Sequence, residues 1–221
     1  SSAVANAIPS DPLSNPANFT DNQANYFYET LKGVDFDTSA HAGAIGVTFA
    51  AAQFSSLLDV KVNANGSWAG FYGIPSRNSI TGNIEVTGGK YGVAAGGGLG
   101  PSLSSGAGPE VIGATLTNQT VAALSLSDST PPAVVGFRIT KNTAGPAVLT
   151  PSPISLVDGS IEFTGAGAGS IAIDNLNGSN FYARNVYVTG TTQLVNSSGT
   201  VTSGSGTWTR IGEYAYNDQF N

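Results

Sequence analysis

Residues 82–93 read GNIEVTGGKYGV: a short β-prone run, a Thr-Gly-Gly stop, and a second β-prone run that begins almost at once. The same phrase returns along the chain with variations. Aligned on one apolar position, the runs are KGVDFD, LDVKVN, GNIEVT, IGATLT, VGFRIT, GSIEFT and RNVYVT, with anchors at Val34, Val60, Ile84, Ala114, Phe137, Ile161 and Val186. Successive anchors lie 26, 24, 30, 23, 24 and 25 residues apart. Self-similarity at such a period marks a repeat architecture, in which each unit buries too little surface to stand alone and must stack on its neighbours.

In every unit the third and fifth positions are apolar: Val34 and Phe36, Val60 and Val62, Ile84 and Val86, Ala114 and Leu116, Phe137 and Ile139, Ile161 and Phe163, Val186 and Val188. The residue between them is mostly polar, which is the period of two that a strand needs to bury one face. The sixth position reads Asp37, Asn63, Thr87, Thr117, Thr140, Thr164 and Thr189, a threonine-rich column. About ten residues after each anchor a second apolar run follows: GAIGVTF, AGFYGI, YGVAAG, VAALSL, PAVLT, SIAID and TQLVN. Each coil therefore contains at least two strands joined by Asn, Gly and Thr turns, and helical periodicity is absent. The expected fold is all-β: a right-handed parallel β-helix of about seven coils. An antiparallel sandwich also has many short strands, but it does not require one position to be apolar and the next to be Thr in unit after unit.

The pattern divides the chain. Residues 1–28 lack it and are rich in Pro, Asn and Asp, which predicts an irregular arm; residues 29–195 carry the coils; residues 196–221 predict a loop and a capping strand. The stretch AAGGGLGPSLSSGAGPE, residues 94–110, accounts for the longest spacing as a loop between coils. The Ser/Gly-rich part of the tail reads as a flexible excursion before a last strand at TWTRIGEYAY, with Trp208, Tyr214 and Tyr216 expected to seal the open end.

Composition narrows the function. A chain of 221 residues that is 40% hydrophobic can build a substantial core. Charged residues are only 10%, and the net charge of −6 without a basic run argues against a nucleic-acid partner. The absence of cysteine excludes disulfides, zinc–thiolate sites and thiol chemistry. The missing Met suggests a processed or excised chain, and the longest apolar stretch, around AIGVTFAAA, is too short to cross a bilayer, so a soluble protein with no membrane partner is expected. Asn-x-Ser/Thr acceptors occur at Asn18, Asn65, Asn118, Asn177 and Asn196, and with an acidic pI of about 4.5 they point to a secreted, extracellular protein.

Glycoside hydrolysis needs two carboxyl groups flanking the scissile bond; the candidates on the predicted strands are Asp35, Asp37, Asp59, Glu85 and Glu162, of which Asp37 and Glu85 are taken as the catalytic pair. The outward position between the two anchors reads Asp35, Lys61, Glu85, Thr115, Arg138, Glu162 and Tyr187. Coils about 4.8 Å apart would set Asp35, Lys61 and Glu85 in an alternating ladder and pair Arg138 with Glu162, either as a charged groove floor or as a solvated surface ladder. No acid cluster of the calcium-binding kind is present, and neither a metal nor a cofactor is expected. His41, the only histidine, falls in the turn-like SAHAG. Trp68, Tyr72 and Tyr91 fall, with Phe71, near the second strands of adjacent coils. They read as a stacking platform for sugar rings; in the alternative, Phe71 and Tyr91 are core and Trp68 caps a turn. The runs GGKYG and AAGGGLG lead into no helix and so are not phosphate cradles.

With the repeat in view, YFYETLKGVDFDTSAHAGAIGVTFAAAQFSSLLDVKVN, GFYGIPSRNSITGNIEVTGGKYGV and NFYARNVYVTG resemble coils of the pectate-lyase-like β-helix superfamily, particularly the N-terminal β-helix of glycoside hydrolase family 55 exo-β-1,3-glucanase-like proteins. The resemblance covers roughly residues 25–215 and includes the Ala52-Gln53 pair; where family members carry a His-Trp pair, this chain has Thr48 and Phe49. It implies a polysaccharide partner of the β-1,3-glucan type and a second β-helix, outside these residues, that bears the catalytic Glu. The alternative is a structural or carbohydrate-binding β-helix without catalysis.

Overall fold

The computed structural model of the chain describes residues 27–49, 51–76, 78–95, 110–126 and 132–217. Nearly all of the predicted N-terminal arm and of the 94–110 loop lie outside them. The described chain alternates between two sheets. The first holds β1 (Thr30–Lys32), β2 (Asp35–Asp37), β4 (Ser56–Leu58), β5 (Lys61–Ala64), β7 (Ile80–Gly88), β9 (Glu110–Thr117), β11 (Ala133–Val135), β12 (Arg138–Lys141), β14 (Ile154–Phe163), β16 (Phe181–Thr189) and β19 (Thr209–Tyr216). The second holds β3 (Ile45–Val47), β6 (Ala69–Tyr72), β8 (Tyr91–Ala95), β10 (Ala122–Leu126), β13 (Val148–Leu149), β15 (Ile173–Asn175), β17 (Gln193–Ser197) and β18 (Thr200–Ser203). Up to β16 and β17, every strand pairs in parallel with its counterpart one coil away. The fold is a parallel β-solenoid of about 6 turns.

Each coil crosses the first sheet in two segments separated by a sharp bend. At the bend stand Gly33, Asp59, Asn83, Gly113, Gly136, Asp158 and Asn185, all with φ between 50° and 73°. Only glycine, or a short Asx side chain that can bond locally, adopts this left-handed conformation at low cost, so a column of Gly, Asp and Asn turns every coil at the same height. The Asx members also bond to each other: Asn83 Nδ2 donates to Asp59 Oδ1 at 2.8 Å, and Asn185 Nδ2 to Asp158 Oδ1 at 2.7 Å.

This column corrects the alignment of one coil. Ile161 pairs with Ile139 and Val188, so the residue opposite Phe137 and Val186 is Gly159 rather than Ile161. The Phe137 ring fills the space left beside Gly159. Arg138 therefore faces Ser160, whereas Glu162 faces Thr140 and Thr189, and the predicted Arg138–Glu162 pair does not form.

The core runs the length of the solenoid as stacked columns. One is Val62, Val86, Leu116, Ile139, Ile161 and Val188; another, from the second sheet, is Phe71, Val93, Leu124, Val148, Ile173 and Val195; all are at most 2% exposed. Full burial of each such side chain is worth roughly 1.5–3 kcal/mol, which is what the period-two pattern is for. The sheets approach so closely that a Cβ on Gly70 would lie 2.4 Å from Val86 Cγ1, which explains the small residues of the second runs. Lys141, fully buried, ties down the turn after β12: its Nζ donates to Gln119 O at 2.6 Å, Thr143 Oγ1 at 2.8 Å and Ala144 O at 3.1 Å.

The C-terminal end reverses direction. After β17, Ser198 and Gly199, both with positive φ, make the tight turn that favours a hairpin, and β18 pairs antiparallel with β17. The Ser/Gly stretch expected to be a loose excursion is thus partly a strand. The expected last strand is β19, which lies antiparallel on β16. Tyr214 and Tyr216 pack on the core there, with Tyr214 and Phe181 rings 5.7 Å apart, but Trp208 is 56% exposed and seals nothing.

Candidate functional site

The alternation of β2, β5, β7, β9, β12, β14 and β16 sends one residue per coil outward in a single column: Asp35, Lys61, Glu85, Thr115, Arg138, Ser160 and Tyr187, continued by Arg210 of β19. At its N-terminal end the charges are mutually committed. Lys61 Nζ lies 3.0 Å from Glu85 Oε2, and the hydrogen bond and charge of Glu85, with a smaller contribution from Asp35, hold the Lys61 ammonium above its ordinary pKa. Lys32 and Asp59 approach to 3.9 Å nearby.

Asp37 and Glu85 are not brought together. They stand two coils and two residues apart, roughly 12 Å at about 4.8 Å per coil and about 3.4 Å per residue, beyond the about 5 to 9.5 Å that glycosidase carboxyl pairs span. Each also has a local task. Asp37 Oδ1 accepts from the Ser39 backbone N–H at 2.9 Å, and the Ser39 bonds hold its carboxyl below the usual carboxylate range, the wrong direction for a general acid. His41 is exposed in the turn after β2, where its N–H donates to Thr38 O. Among the described residues no three His, Asp or Glu side chains are grouped to hold a metal ion.

Trp68, Tyr72 and Tyr91 do meet. The Trp68 ring lies 5.3 Å from each tyrosine ring, in a second small core with Ala69, Ala94 and Ala122. At 1%, 4% and 7% exposure, however, the three rings offer no open face for a sugar, and burial raises the Tyr91 pKa. The alternative reading of Phe71 and Tyr91 as core agrees with their burial.

The exposed ring of the column is Tyr187, which sequence reasoning placed in the outward row but did not weigh as a binding residue. It is 41% exposed between buried Val186 and Val188. Around it the register sets Ser160 on one side and Arg210 on the other, with Asp158 and Asn185 at the bend and Glu162 and Thr189 two residues along. Arg210 Nε donates to Asn185 Oδ1 at 3.0 Å. Beyond the bend, Tyr182 OH donates to Glu213 Oε1 at 3.0 Å, which raises the tyrosine pKa, and Arg184 opposes Glu213 across the β16–β19 pair. Trp208 stands one residue before β19. The signal that could have found this face is the run of exposed Tyr and Arg at outward positions of the last coils.

Of the glycosylation acceptors, Asn65 and Asn177 are exposed in turns; Asn118 and Asn196 are half-buried, and Asn196 Nδ2 donates to Asp174 Oδ1 at 2.7 Å. Asn18 lies outside the described residues.

No protein-family model, curated protein or solved structure matches the chain. The kinship that can be stated is one of architecture, that of the parallel β-solenoids.

Proposed function

We propose that this chain is a secreted, carbohydrate-binding β-solenoid module that serves a glycoside hydrolase acting on a β-1,3-glucan-like polysaccharide, with the catalytic carboxylates on sequence outside these residues. The observation that carries the reading is the long outward face of the first sheet. It presents polar groups at a regular pitch and ends in an exposed ring, Tyr187, among hydrogen-bonding side chains. A polysaccharide is itself a regular polymer of rings with apolar C–H faces and hydroxyl rims, and it suits such a surface. The wide separation of Asp37 and Glu85, and the engagement of the first with Ser39 and of the second with Lys61, argue against hydrolysis by these two carboxylates.

A second reading is favoured by the reversed strands β18 and β19, which close one end of both sheets: a stand-alone structural or carbohydrate-binding solenoid with no catalytic partner. The experiment that separates the two measures binding and hydrolysis of β-1,3-glucan by the protein as isolated from its source. The first reading expects binding together with hydrolysis that survives Asp37→Asn and Glu85→Gln. Binding without hydrolysis selects the second, and failure to bind any polysaccharide refutes both.

A further inference from the structure

We infer that the outward face of the last coils, centred on Tyr187 and bounded by Arg138, Ser160, Glu162 and Arg210, is the binding site and that its ligand is a neutral oligosaccharide segment. The inference rests on the carbohydrate-binding reading above and assigns it a place and a chemical class.

Position comes first. Val186 and Val188 point into the core and are fully buried, so the strand's alternation forces Tyr187 outward, and at 41% exposure its ring is a surface feature. A phenol ring on a flat sheet is a rigid apolar plate with little conformational freedom to lose on binding. The lattice then spaces polar groups around that plate at about 4.8 Å across strands and about 7 Å along them, within reach of the hydroxyls of a ring stacked on it. Arg210 is the next residue across one side, Ser160 across the other, and Arg138 lies one coil beyond Ser160 in the same column.

Commitment comes second. At the N-terminal end of this column Lys61 and Glu85 satisfy each other at 3.0 Å. At the C-terminal end, the described residues place no carboxylate within ion-pair distance of Arg138 or Arg210, and none of their cations within that distance of Glu162. The same face thus changes along the solenoid from the Lys61–Glu85 ion pair to groups that stand outside any ion pair, Arg138 and Glu162, beside Arg210, whose Nε bonds the neutral amide of Asn185.

Charge sets the class of ligand. Of the chain's 4 arginines, Arg138, Arg184 and Arg210 lie on these coils, and Asp158, Glu162 and Glu213 lie among them. Donors and acceptors balance, which suits neither a polyanion nor a polycation, either of which would meet as much repulsion as attraction. Hydroxyl groups, each donor and acceptor at once, satisfy both kinds.

The test is calorimetric titration of the full chain with neutral β-1,3-gluco-, cello- and xylo-oligosaccharides, and with polygalacturonate as a charged control. Tyr187→Ala, Tyr187→Phe and Arg138→Ala are compared with Glu85→Gln, which lies at the other end of the same column, and melting temperatures verify folding. The expected result is binding of a neutral oligosaccharide that Tyr187→Ala weakens about tenfold, that Arg138→Ala also weakens, and that Tyr187→Phe and Glu85→Gln leave in place. Neutral binding that Tyr187→Ala does not change overturns the site while leaving the carbohydrate-binding reading intact. Binding of polygalacturonate alone overturns the neutral class. No binding by the wild-type chain refutes the underlying reading, and the inference with it.

Discussion

The ring of Phe137 occupies the room that a side chain on Gly159 would need. A Cβ added to Gly159 falls 2.2 Å from Phe137 Cε1 and Cζ, one coil away. The two residues share one core volume between neighbouring coils, and their sequence identities are linked through it.

Gly159→Ala is therefore expected to destabilise the solenoid by about 1–3 kcal/mol, the usual cost of overpacking. Phe137→Leu in the same chain should recover part of the loss, because it withdraws ring atoms from the clash. Urea denaturation of the two single variants and the double variant checks this; additive losses would show that the two side chains do not compete for space.

Thr81 stands fully buried in the inward column between Leu57 and Val111, and its Oγ1 has no hydrogen-bond partner among the described residues. Thr81→Val replaces the stranded hydroxyl with a methyl group of similar size and is expected to stabilise the fold by about 1–2 kcal/mol. A lower melting temperature for this variant would mean that the hydroxyl is satisfied after all.

Burial lowers the Lys141 pKa to about 8, while its ordinary value is 10.5. The unfolded chain then binds more protons than the folded one between these values, so stability should rise with pH from about 8 towards 10.5, while below about 8, where Lys141 is charged in both states, this contribution is at its lowest and no longer changes with pH. None of its hydrogen-bond partners, Gln119 O, Thr143 Oγ1 and Ala144 O, titrates in that range. Lys141→Met should flatten the slope in denaturation curves recorded from pH 7 to 10; an unchanged slope would place the titration elsewhere.

Secretion through a glycosylating pathway should leave glycans at Asn65 and Asn177, which stand exposed in turns. Asn196 should stay bare, since it lies half-buried on a strand, β17, with its Oδ1 fully buried, whereas the Asn65 and Asn177 side chains reach solvent. Glycopeptide mass spectrometry of the native protein reads the occupancy of each site directly.

Much of the fold was legible because stacking makes one rule recur: Val60, Ile84 and Ala114 occupy the same place in successive coils, as do Val62, Val86 and Leu116. The rule failed at Gly159, where the apolar side chain is supplied by Phe137 of the coil before it. The column of Gly33, Asp59, Asn83, Gly113, Gly136 and Asn185 held the correction, because Ser160, which the mistaken alignment put there, is poorly suited to a left-handed bend while Asp158 is well suited. The site was less legible. Outward position follows from local alternation, but exposure depends on packing from other parts of the chain, so Trp68 and Tyr91 turned out buried and Tyr187 open.

The reversed strands at the C-terminal end bear on self-association. A parallel stack is its own template, because each coil offers the next an edge running in the direction that the next must adopt, and an uncapped stack of this kind could grow into fibres. With β18 and β19 antiparallel to their neighbours, the last edges of both sheets no longer repeat the pattern of the coils behind them, and charged Arg210 and Glu213 stand on one of those edges. At β18 and β19 the periodicity of the coils is broken, and the edge that a further parallel copy would need as its template is not the one presented.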